Sequence, residues 1–231
     1  MFEVVYTPRW FYGKDIAIDV VSILVLALIA LFSLRCAKLD RQNKNYLWLS
    51  ASFGLLALSF VFKILMNFTL YFYGQETAMV GKITVVYNVL EPTTTLFLIG
   101  FIVYHLLGLL GLYALFSIYH KQSRSTVILV LYLLATIVFF SHVTHYLFHL
   151  TSLILLALLA FHYAQYAKKS KALTTKMLTA SFLIIGLSQP FFIFMGVRPD
   201  LYVVAECIQL VGYLLLLFTF LKVLYGKAKP S

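Results

Sequence analysis

The sequence predicts an all-α integral membrane protein with seven transmembrane helices. Three observations carry this reading. Hydrophobic residues make up 62% of the 231, charged residues 11%, and mean hydropathy is +0.95, which excludes an ordinary soluble domain. Apolar stretches recur along the chain at about 16–35, 46–69, 94–118, 126–141, 144–167, 177–197 and 201–224, and a spanning helix needs about 20 such residues. Lysine and arginine then fall unequally on the two sides that seven spans define.

Taken in order, span one follows Met1 to Asp15, a segment with Glu3, Arg9, Lys14 and Asp15. It has no short apolar core before a small-residue cleavage site, so the first apolar run reads as a genuine span. AKLDRQNKN (37–45) and GQETAMVGK (74–82) read as the loops on either side of span two, and HKQSRS (120–125) ends span three. Residues 126–167 contain neither Gly nor Pro. As one helix they would run ~63 Å, about twice the hydrocarbon thickness. The polar cluster Ser141-His142-Val143-Thr144-His145 is the turn that divides them. KKSKALTTK (168–176) and VRPD (197–200) bound span six, and span seven ends before a short basic tail.

With the amino terminus outside, the cytoplasmic segments collect Arg35, Lys38, Arg41, Lys44, Lys121, Arg124, Lys168, Lys169, Lys171, Lys176, Lys222, Lys227 and Lys229. The outer side keeps Arg9, Lys14, Lys82 and Arg198, so the count is thirteen against four, a positive-inside pattern that six spans would destroy. The formal charge of +10 therefore reads as orientation and contact with anionic headgroups, not as nucleic-acid binding. Trp10, Phe11, Tyr12, Tyr71 and Tyr73 fit one interfacial belt, Tyr46, Trp48 and Tyr119 the other. Cys36 and Cys207 are expected near opposite faces, too far apart for a disulfide.

The chain also repeats itself. SILVLALIALF (22–32) matches SLILLALLAFH (152–162), with Ser22/Ser152, Leu26/Leu156, Ala27/Ala157, Leu28/Leu158 and Ala30/Ala160 identical. LSASFGLLALS (49–59) matches LTASFLIIGLS (178–188) at six of eleven positions. A third pair rests on Tyr87-x-x-x-Glu91 over Tyr202-x-x-x-Glu206. The expected organisation is a single transmembrane domain over 1–231: a first three-helix repeat (16–118), a linker helix (126–141) and a second, parallel repeat (144–224). Such repeats place binding sites at the interface between halves.

This 3+1+3 plan, amino terminus outside, resembles the SWEET and PQ-loop transporters and the wider transporter–opsin–receptor grouping. The resemblance is one of topology. The Pro-Gln dipeptide is absent from spans one and five, and Gln189-Pro190 in span six has the reverse order. An opsin-like protein would carry a retinal lysine midway along span seven, where this chain has only Lys222 at the inner end. The resemblance implies transport of a small solute between the halves.

Ionisable residues in hydrocarbon are costly and so mark candidate sites. Asp19, Lys63, Glu91, Gln189 and Glu206 all fall at similar depth in the outer half, with Asn67 one turn beyond Lys63. Two readings compete. Lys63 pairs with Asp19, Glu91 or Glu206 to fix helix register, or the set lines an outward-facing cavity that binds a polar solute, a cation or a proton. Under the repeat, Glu91 faces Glu206 across the axis, and two close carboxylates would share a proton; Asp19 aligns with His149. His142, His145 and His149 are metal candidates by spacing, but the turn inside the motif removes their common face. His105 and His162 differ in depth by ~7–8 Å, which argues against bis-histidine haem.

No phosphate loop, catalytic Ser-His-Asp spacing or Cys-x-x-Cys is present, so no enzyme activity and no cofactor is expected. Met66, Met177 and Met195 read as packing or lipid-facing groups, and Pro190 as a kink. The expected location is the cell membrane, with lipid and a small polar solute as partners. A receptor-like sensor working through a signalling partner or a second copy is the alternative, and a metal-handling protein or enzyme the third.

Overall fold

The computed structural model describes residues 7–11, 13–40, 42–71, 75–80, 83–88, 91–120, 122–141, 143–170 and 172–227. After a short 3-10 turn, Arg9–Phe11, come α1 (Lys14–Leu39), α2 (Asn45–Tyr71), β1 (Gln75–Val80), β2 (Ile83–Asn88), α3 (Glu91–Ser117), α4 (Arg124–Ser141), α5 (Tyr146–Ser170), α6 (Leu173–Ile193) and α7 (Asp200–Lys227). Seven helices are long and apolar enough to cross a membrane. The chemistry of hydrocarbon accounts for them: without water, each backbone N–H and C=O must be satisfied within its own segment, and a helix does this.

Local signals set the helix ends. Gly13, at φ 80, turns the chain into α1 through the left-handed region that glycine tolerates. Asp40 closes α1 by donating its N–H to the Cys36 carbonyl, 2.9 Å. Between α4 and α5 the N–H groups of Val143 and Thr144 both reach the Phe140 carbonyl at 3.0 Å, so the long apolar run breaks after Ser141. Span six was expected over 177–197, whereas α6 runs from Leu173 to Ile193. Pro190 lies inside it and supplies no N–H, and one turn later the chain leaves the helix through Phe194, whose N–H reaches the Pro190 carbonyl at 3.2 Å.

The largest departure from expectation lies between α2 and α3. The segment read as a loop, together with the residues before span three, forms an antiparallel hairpin with Gln75 opposite Asn88 and Val80 opposite Ile83. Thr77, Val80, Ile83, Thr84, Val85 and Val86 give it the β-branched content that a helix penalises and a strand accommodates.

Short connections make sequential helices antiparallel neighbours. Helix α2 packs between α1 and α3, and α6 between α5 and α7. The two trios meet where α1 touches α7 and where α3 touches α5, while α4 lies against α3 and α5. Leu26, Phe53, Leu109, Leu156, Leu159 and Leu216 are nearly fully buried in the shared core. Ile128, Leu129, Tyr132 and Phe139 of α4 are exposed, as expected of a surface solvated by lipid.

Two glycines permit the closest helix approaches. A Cβ on Gly111 would stand 2.7 Å from Leu56 Cγ, and one on Gly212 would stand 2.5 Å from Ile185 Cγ1 and 3.1 Å from the Ile185 backbone nitrogen. Nothing lies within 4 Å of the corresponding point on Gly54. Gly212→Ala should therefore destabilise the protein by about 1–3 kcal/mol. Gly54→Ala should be neutral or stabilising, by up to about 1 kcal/mol. Thermal unfolding in one detergent distinguishes the two.

Candidate functional site

The site begins with i, i+4 pairs that place two side chains on one helix face. Helix α1 presents Asp15 and Asp19, α2 presents Lys63 and Asn67, and α7 presents Tyr202 and Glu206, all of them buried. Lys63 Nζ donates to Asp19 Oδ1 at 2.8 Å and to Glu206 Oε1 at 2.5 Å. Asn67 Nδ2 donates to Asp15 Oδ2 at 3.0 Å, and Asp15 Oδ1 accepts the Ile16 N–H at 2.9 Å. The ring centroids of Phe60 and Tyr202 lie 5.4 and 5.9 Å from the ammonium.

Exposure is 0% for Asp19, 1% for Glu206 and 5% for Lys63, so water does not share these charges. A buried ion pair is sustained by close partners, and losing one leaves an uncompensated charge. Two carboxylates thus share one ammonium. Asp19 Oδ2 has no hydrogen-bond partner among the described residues. That oxygen is an open acceptor within the site.

A second polar set stands beside it. His149 of α5 donates Nδ1–H to Gln189 Oε1 of α6 at 3.0 Å. The Gln189 amide nitrogen reaches Ser188 Oγ at 3.1 Å and the Ile185 carbonyl at 3.4 Å, which leaves Oε1 as the acceptor and fixes the His149 tautomer. The His149 ring stacks on Phe192, centroids 4.8 Å apart. His105 of α3 donates Nδ1–H to the Phe101 carbonyl at 2.7 Å.

Lys63, Asn67, Tyr104, His105, His145, His149 and Tyr202 line a cavity of about 90 Å³, closed further by Phe97, Phe101, Phe192 and Met195. Tyr104, His149 and Phe192 also border a smaller cavity of about 40 Å³ that runs on past Ser59, Gln189, Gln209 and Tyr213. At the other end of the bundle the turn after α3 joins α5 through Tyr119 and Tyr163, hydroxyls 2.6 Å apart, with His162 against Tyr119.

Of the residues singled out from sequence, Asp19, Lys63 and Glu206 meet directly. Gln189 belongs to the His149 set instead. Glu91 opens α3, but its side chain lies outside the described residues, and so does the expected Glu91–Glu206 encounter. His142 likewise lies outside them. Among the described residues no group of three or more His, Cys, Asp or Glu is placed to hold a metal ion. Met195 is buried in the cavity wall and Met66 also lines the cavity, so neither is simply a lipid-facing group. Cys36 and Cys207 are unbonded. His105, considered from sequence only for haem, is the lining residue that sequence reasoning missed. The signal was its place one turn after Phe101 on the buried face of α3.

Together these features define a multi-pass membrane protein of seven helices with a buried charge cluster beside a cavity. No protein-family model, no curated protein and no solved structure matches the chain.

Removing the shared cation should expose the cluster's dependence on it. Lys63→Met should cost about 3–5 kcal/mol of stability, and the additional changes Asp19→Asn and Glu206→Gln should recover much of that loss. Thermal unfolding of the single and triple variants measures both. Outside the spans, burial lowers the His145 pKa below its ordinary 6.5, with the Ile193 backbone opposing. The unfolded chain then takes this proton at higher pH than the folded one, so His145's contribution is present above the unfolded pKa and lost as pH falls below it. His145→Gln should flatten the acid limb of the stability profile below about pH 6.5.

Proposed function

We propose that this protein moves a small polar solute across the membrane, coupled to a proton or cation, by rocking two three-helix halves about the cavity between them. The observation that carries the reading is Lys63, which is held both by Asp19 of its own trio and by Glu206 of the other. A charge binding at Glu206 would compete with the Lys63–Glu206 ion pair that ties α2 to α7. Opening of the seam would thus be linked to occupation of the site. Charged groups inside the bundle mark this kind of pathway in membrane proteins.

Several features support two related halves. The contact of α1 with α7 mirrors that of α5 with α3. Gly111 approaches Leu56 and the Ser52 carbonyl, and Gly212 approaches Ile185 and the Ser181 carbonyl. The sequence repeat pairs Leu56 with Ile185 and Ser52 with Ser181. It also pairs Ser59 with Ser188, and each donates Oγ–H to the carbonyl three residues earlier at 2.7 Å. Aligning the third pair by its glycines puts His105, not Glu91, in register with Glu206. The positions matched in this way carry unlike triplets: Asp19, Lys63 and Glu206 against His149, Phe192 and His105, with Lys63 and the second triplet lining one cavity.

In this reading the end where α1, α3, α5 and α7 begin faces outward, as the basic loops require, and the Tyr119–Tyr163 contact closes the inner end of the seam. A sensor is the second reading. It is favoured by the inner half, where Phe53, Leu115, Leu159 and Leu216 fill the core between the cavity and the basic loops.

Proteoliposomes loaded with a pH-sensitive dye distinguish the two. A panel of small polar solutes is screened first for thermal stabilisation. A solute that stabilises the protein should exchange across the membrane and carry a pH change. Glu206→Gln should keep exchange but lose the pH change at least tenfold, which corresponds to about 1.4 kcal/mol. A solute that binds saturably yet neither enters nor exchanges would sink transport and favour sensing.

A further inference from the structure

The chemistry of the cavity wall narrows what the cavity takes, and the inference deepens the binding reading given above. We propose that the cavity recognises a small organic monocation bearing N–H donors, an ammonium or amidinium of only a few heavy atoms.

Four observations converge. His105 and His149 are 5% and 8% exposed, and each commits its Nδ1–H to a fixed acceptor. Their Nε2 atoms have no hydrogen-bond partner among the described residues, and both rings line the cavity. A neutral imidazole with Nδ1 protonated can only accept at Nε2, so the wall offers two buried acceptors. Asn67 spends an amide hydrogen on Asp15, which leaves its Oδ1 as a third. The rings of Tyr104 and Tyr202 complete the wall, and aromatic faces attract cations.

Charge decides between ligand classes. Lys63 is the cation in the wall, but Asp19 and Glu206 both lie at hydrogen-bond distance from it. A carboxylate ligand would find that ammonium already engaged by two carboxylates and would meet two imidazole lone pairs. A cation bearing N–H groups instead supplies a donor to each lone pair and a charge that the aromatic faces attract. A bare alkali ion fits less well, because hard cations select several oxygen ligands and two of the three acceptors named here are imidazole nitrogens. The volume of about 90 Å³ favours a small ligand. At about 30 Å³ of liquid volume per water, that is the space of about three water molecules.

The test uses the full-length protein in lipid nanodiscs at neutral pH and constant ionic strength. Methylammonium and formamidinium chlorides are compared with sodium chloride, potassium chloride, urea and sodium acetate by isothermal titration and thermal unfolding. Methylammonium or formamidinium should bind saturably and raise Tm, and the other four should not. His105→Phe and His149→Phe should each weaken binding by about tenfold, the order expected for loss of one hydrogen bond to a charged group. Failure of either variant to fold leaves the wild-type comparison decisive. Saturable binding of acetate or urea in place of the organic cations, equal binding of an alkali ion, or no saturable cation binding would overturn the assignment. Transport of an uncharged solute without cation binding would overturn it while leaving transport intact, whereas cation binding without flux would do the reverse.

Discussion

An ammonium group placed in hydrocarbon must be neutralised by neighbours, and this single requirement organises one end of the bundle. Lys63 reaches that environment from α2, which packs between α1 and α3. Its counter-charges come from α1 and from α7, so three helices are held in register by one nitrogen. A pair at the surface is worth little because water competes for both partners. Here water is excluded, and the arrangement stands or falls as a group. A buried ion cluster is weak evidence for stability in itself; what it supplies is a connection between two helix trios that responds to charge.

The cavity follows from how the rest of that end is built. The charged triplet occupies the contact between α1 and α7, and the imidazoles approach from α3 and α5. Each imidazole has its proton fixed on Nδ1 by a backbone carbonyl or by Gln189. The site therefore joins two carboxylates sharing one ammonium to preset lone pairs and aromatic faces. Below it the core turns apolar and tight, with Gly111 and Gly212 letting neighbouring helices approach. Among the described residues the buried charges, Asp15, Asp19, Lys63 and Glu206, are confined to one end of the bundle.

Much of this fold is legible from the sequence for a plain physical reason. Apolar runs of spanning length have few alternatives in a bilayer, so the helix count and the break after Ser141 can be read from composition and length alone. The hairpin at 75–88 was not legible, because a β-branched run next to a span looks like more span or loop until its pairing is known. The end of α6 was misplaced by four residues, since apolar Phe194 and Met195 continue the run after the helix has stopped. Asp19, Lys63 and Glu206 stand out in hydrocarbon and could be grouped by depth. His105 could not, because a lone histidine in an apolar helix does not declare which neighbour it faces. Its significance depends on the α3–α5 contact, which links residues distant in sequence.

The claim that Lys63 ties the two trios together is tested most directly by a double-mutant cycle. Lys63→Met, Glu206→Gln and the double variant are unfolded thermally in one detergent, and the coupling free energy is extracted. A coupling of about 1.5 kcal/mol or more, beyond the ~1 kcal/mol ceiling of exposed pairs, is the predicted result. Additivity within about 0.5 kcal/mol, the behaviour of distant independent sites, would contradict it.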